Sequence, residues 1–147
     1  MNKKTLLIAI FCCSLLSVKS QISEVFQTSE GAIHGYDPVS YFTVNKPVRG
    51  NESLSYKWNG ADWHFSSRAN LDSFRTHPEK YEPQFGGYCA YGLADGHKAS
   101  TDPQAWSMVA GKLYLNYDKD IMDKWRKNQA AYIIQADKNW PRLKNKD

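Results

Sequence analysis

Asn59-Gly60 stands between two aromatic-rich runs, Leu54–Trp58 and Ala61–Ser66. Asn and Gly both tolerate positive φ, which a type I′ turn demands at its two central positions. The pair therefore predicts a two-residue β-hairpin. Ser67, directly after the second run, predicts an N-cap, with a helix to about His77 that buries Leu71 and Phe74. Pro78 breaks that helix and restarts a short turn carrying Tyr81. A hairpin feeding a helix commits this stretch to antiparallel pairing with a helix laid on it.

The rest of the chain follows the same style. Tyr36-Asp37-Pro38-Val39-Ser40-Tyr41-Phe42 reads as a short helix, with Asp37 as N-cap and Pro38 at the first helical position. Tyr88 to Asp95 reads as a helix closed by Gly96. Asp102-Pro103 opens a turn. Trp106–Ala110 and Lys112–Asn116 form a second hairpin about Gly111. Asp118 caps a long final helix, ended by Pro141, in which Ile121, Trp125, Tyr132, Ala136 and Trp140 make a core stripe. No repeat, linker or low-complexity tract interrupts it. The expected class is α+β: a small antiparallel sheet of two hairpins, packed with short helices and a long C-terminal helix. Five Trp and nine Tyr, within an aromatic content of 14%, fill such a core with large rings that need partners for their N–H and O–H groups.

The first twenty residues read as a signal peptide. Lys3 and Lys4 precede an uncharged apolar run, Thr5 to Val18, and Val18-Lys19-Ser20 offers a cleavage site after Ser20. An uncleaved anchor is the alternative, but the run is short for a membrane span. Lipid attachment at Cys12 or Cys13 meets Phe11 where a small residue is wanted. Cleavage would remove three of the four net positive charges, so the basic balance is no argument for nucleic acid. It would also leave Cys89 as the single cysteine, with no intramolecular disulfide. No later segment is apolar enough to span a membrane, and the expected address is periplasmic or secreted.

Zinc-protease, nucleophile-elbow, P-loop and haem-attachment signatures are absent. Cys89 and four histidines, His34, His64, His77 and His97, remain as candidates for chemistry. Thiolate with imidazole favours copper(I) or zinc, and His97 follows Cys89 by eight residues with Gly92 and Gly96 between them. The plainer readings are a small buried hydrophobe for Cys89, an exposed strand residue for His64 opposite Trp63 and Phe65, and a helix-end cation for His77. His34 offers only Gly31 and Gly35 as hints of a special turn. Asp37, Asp62, Asp95 and Asp102 sit at turns or caps, which explains them without acid–base work. Cys89 as a nucleophile would need a neighbouring imidazole or helix N-terminus to lower its pKa.

Tyr36-Asp-Pro-Val-Ser-Tyr-Phe42, Tyr56-x-Trp-Asn-Gly60, Trp63-His-Phe-Ser-Ser67, Phe74 and His77-Pro-Glu-Lys-Tyr81 together resemble the YHS domain. Gln84-Phe-Gly-Gly-Tyr-Cys-Ala90, Asp102-Pro-x-x-Trp106, Gly111-Lys-Leu-Tyr-Leu-Asn116 and Trp140-Pro141 are similar to a longer, exported bacterial subgroup of it. The resemblance spans about 31–143, after a signal peptide (1–20) and a flexible lead-in (21–30) and before a tail (144–147). It implies a treble-clef-like core, and metal held by paired cysteines as in copper-transporting P-type ATPases. Here Ser40 and Ser66 stand where sulfur would be wanted, and serine hydroxyls are poor ligands for soft metals. Cys89 belongs to the subgroup's own motif. The leading expectation is an exported, non-enzymatic binding domain for copper, zinc or another thiophilic metal, through Cys89, His97 and His64. The alternatives are a thiol or redox enzyme using Cys89, and a structural or partner-binding module, for a protein or small ligand, with no metal. A Cys89 sealed from solvent would count against both thiol-based readings.

Overall fold

The computed structural model describes residues 24–146. The expected signal peptide lies outside them. The order is β1 (Gln27–Thr28), β2 (Gly31–Ala32), α1 (Ser40–Thr43), β3 (Asn51–Trp58), β4 (Ala61–Phe65), α2 (Arg68–Thr76) and α3 (Pro78–Tyr81). Then come α4 (Ala90–Asp95), β5 (Asp102–Val109), β6 (Lys112–Asn116), α5 (Lys119–Arg126) and α6 (Gln129–Leu143). The class is α+β, as expected. Among the described residues the three strand pairs are antiparallel, beside one isolated parallel bridge between Pro83 and Leu113; each hairpin is its own two-stranded sheet, and β1–β2 is a further pair that the sequence did not announce.

The first hairpin forms about its turn as expected. Asn59 and Gly60 have φ of 49° and 75°, and Trp58 pairs with Ala61. Ser67 caps α2 by accepting from the Asn70 N–H at 3.1 Å. Gly60→Val is expected to cost roughly 1–3 kcal/mol through strain at that dihedral. Chemical denaturation reads it, and an unchanged midpoint would mean that the turn is of another kind.

Two cores result. Val25, Ile33, Tyr41, Trp63, Phe65 and Phe74 build the first; Phe85, Leu93, Trp125, Ala136 and Leu143 build the second. Strand β6 joins them. Its Leu113 and Leu115 point into the first core and the intervening Tyr114 into the second, the two-residue alternation of a strand buried on both faces.

Three local expectations need correction. The final helix is two helices: the chain breaks at Asn128, whose φ of −150° and ψ of 46° are not helical. Pro141 does not end α6, which runs on to the buried Leu143; a proline in the last turn removes only one intrahelical bond. The described part of the lead-in is built into the fold. Val25 is 1% exposed, and the Phe26 N–H donates to the Gly86 carbonyl at 2.8 Å.

Candidate functional site

Asp37, just ahead of α1, is a fully buried polar side chain. It is not the cap of α1, which starts after Val39. Its carboxylate is fully buried and accepts four hydrogen bonds. One oxygen takes the Val39 N–H at 2.9 Å. The other takes the Ser66 N–H at 2.8 Å, the Ser66 hydroxyl at 2.6 Å and the Asn70 side-chain amide at 2.7 Å. These donors come from the chain entry, the end of β4 and the first turn of α2, so one side chain ties the hairpin to both its neighbours. Ser40 works beside it. Its hydroxyl lies 2.7 Å from the Asp37 carbonyl and 3.0 Å from the Lys46 carbonyl, and accepts from the Val48 N–H at 3.2 Å. The two serines that replace expected sulfur ligands are thus occupied in an oxygen-and-nitrogen network.

Cys89 lies at the start of α4 and is 2% exposed. Its sulfur accepts from the Gly92 N–H at 3.4 Å, serving as the helix cap, and its S–H points to the Asn116 amide oxygen at 3.7 Å. Burial pushes the thiol's pKa up, against the lowering effect of nearby N–H groups from Gly92, Tyr117 and Tyr91. The group is therefore a neutral thiol engaged in packing, the opposite of an activated nucleophile.

The histidines do not converge on it as a set. His97 lies past α4, half-exposed, with Nδ1 3.5 Å from an Asp95 carboxylate oxygen. His64 lies on β4, opposite the fully buried Trp63 and Phe65 as alternation required. It is not an open surface residue, because β2 and the turn after it cover that face: a Cβ on Gly31 would sit 3.2 Å from its ring, and one on Gly35 3.3 Å. His34 is tied to the Thr101 carbonyl at 2.8 Å, and His77 is the junction between α2 and α3. Among the described residues, no three His, Cys, Asp or Glu side chains form a group able to hold a metal ion.

Residues 39–85 match the family model of the YHS domain. The match runs from α1 through both strands of the first hairpin, α2 and α3, and so contains Ser40, Ser66 and Asn70 of the Asp37 network. It stops short of Cys89, the second hairpin and the last two helices. No curated protein matches the chain, and no solved structure does. The YHS match supports a module from a family associated with metal handling, and leaves the exported subgroup as a reading of the sequence.

Sequence reasoning gave Asp37 a local role and missed its real one. The signal for it was the pair of serines at positions where the resemblance wanted cysteine. The Ser66 hydroxyl donates to the Asp37 carboxylate, and the Ser40 hydroxyl donates to the Asp37 and Lys46 main-chain carbonyls.

Proposed function

We propose that this chain is an exported, non-enzymatic binding domain that keeps the YHS scaffold and dispenses with sulfur ligation. The Asp37 network carries the reading. At the place where paired cysteines would hold a metal, a buried carboxylate with four donors holds the same elements together. The buried, capping state of Cys89 adds to it, since a neutral thiol inside the fold neither attacks a substrate nor offers an open coordination position. The leader-like first twenty residues support a periplasmic or secreted address.

The competing reading is a copper or zinc site built on Cys89 with His97 and His64. Titration of the reduced protein with copper(I), against a competing chelator and beside Cys89→Ser, separates the two. Neither protein is expected to take copper from the chelator. Stoichiometric uptake by the wild type that is lost in Cys89→Ser would overturn the proposal in favour of the metal site.

A further inference from the structure

A cleft of about 460 Å³ opens where the YHS-matched segment meets α6, within the roughly 300–1,000 Å³ of small-molecule sites. Trp58, from the end of β3, lines it along with Trp140 from α6, and Pro83 and Phe85 add apolar surface. Three carboxylates, Glu24, Glu82 and Asp137, also line it. Lys144 pairs with Glu24 at 3.4 Å. Among the described residues, neither Glu82 nor Asp137 has an ion-pair partner. Glu82 is half-buried, and that burial, with Glu79 and Glu24 nearby, raises its pKa to about 7. A carboxylate taken out of water without a counter-charge is destabilised, and a cation placed beside it removes the penalty.

We propose that this cleft binds a small organic cation of the alkylated-ammonium class, held by the faces of Trp58 and Trp140 and neutralised by Glu82. The assignment deepens the binding-domain reading and rests on it. Indole faces attract cations whose charge is spread over a weakly hydrated, methylated surface, whereas a bare metal ion needs converging donor atoms, of which the described residues show no such group. The two indoles come from opposite sides of the boundary of the YHS match, so the site exists only because the C-terminal helices pack onto that segment.

The charge on Glu82 sets a pH dependence. Glu79, Glu24 and Asp137 are the acids around it and Lys144 the nearby base. Glu82 carries its full charge only above about pH 7, so affinity should fall as the pH drops through that value.

The test is titration of the ¹⁵N-labelled protein with tetramethylammonium chloride, with sodium chloride at matched ionic strength as control. The indole N–H resonances of Trp58 and Trp140 should shift and saturate with the organic cation only. That of the fully buried Trp125 should stay in place. Glu82→Gln and Asp137→Asn, which leave the aromatic packing intact, should each weaken binding by about five- to tenfold. Equal shifts with sodium chloride, absence of saturation, or an unchanged affinity in Glu82→Gln would each overturn the proposal. So would saturation by an arginine peptide with none by tetramethylammonium, which would assign the cleft to a protein partner. Failure here with no copper uptake removes this ligand and leaves the binding domain; copper uptake through Cys89 removes the binding-domain reading itself.

Discussion

Asp37→Ala is expected to destabilise the protein by about 2–4 kcal/mol, because it strands one buried donor, the Val39 N–H, and several part-buried ones at once. The lost carboxylate leaves the N–H groups of Val39 and Ser66 and the Asn70 amide without their acceptor. Hydrogen bonds to a charged acceptor are worth roughly 1.5–3 kcal/mol each, and an unsatisfied buried donor costs about 1–3 kcal/mol. Water entering the vacated space recovers part of the loss, which keeps the figure below the sum. Ser66→Ala removes only the hydroxyl donor at 2.6 Å and leaves the other three bonds, so about 1–2 kcal/mol is expected. Urea denaturation followed by far-ultraviolet circular dichroism measures both. Similar midpoints for Asp37→Ala and Ser66→Ala would show that the carboxylate does not hold the hairpin, α1 and α2 together, and the substitute for sulfur ligation would have to be sought elsewhere.

What the sequence made legible and what it hid divide along the range of the forces. Asn59-Gly60, Ser67 and Gly96 act within a few residues of themselves, and each sits in the structure where local rules put it. Asp37 obeyed a local rule only in appearance. An Asp before Pro reads as a cap, yet its decisive donors lie 29 and 33 residues away, and no local pattern marks them. The alternation of Trp63, His64 and Phe65 assigned His64 to the correct face but not to its cover, because the covering pair β1–β2 has two residues per strand, too short for any periodicity to show. Cys89 was legible as a residue with two readings, a buried small hydrophobe or a working thiol. The structure adds its contact with Asn116, 27 residues on, and sequence holds no record of that proximity. The cleft was the least legible part. Trp140 belonged to a recognisable core stripe, but that it and Glu82 line one opening follows from how α6 docks, a matter of tertiary packing alone.

The docking of the N-terminal segment on that same region makes Gly86→Ala the second severe substitution. Gly86 has φ of +62°, a conformation that by itself costs an L-residue about 1 kcal/mol relative to glycine. The surroundings add far more. A Cβ at Gly86 would lie 1.8 Å from the Glu24 carbonyl oxygen and 2.9 Å from its carbon, backbone atoms that no rotamer change moves aside. The segment must lift, and doing so breaks the bond from the Phe26 N–H to Gly86 and draws Val25 from the first core. A total of roughly 3–5 kcal/mol is expected, from strain, overpacking and lost burial together. Gly111→Ala supplies the comparison. Its φ of +73° is similar, yet nothing lies within 4 Å of an added Cβ, so only the dihedral term of about 1 kcal/mol remains. For a chain of this length the pair should differ in thermal midpoint by on the order of 10 °C. Gly86→Ala should also weaken tetramethylammonium binding, because Glu24 and Gly86 both line the cleft, while Gly111→Ala should leave it unchanged. Equal destabilisation in the two variants would mean that the segment from Glu24 to Phe26 does not rest on Gly86, and the cleft would lose the wall that Glu24 supplies.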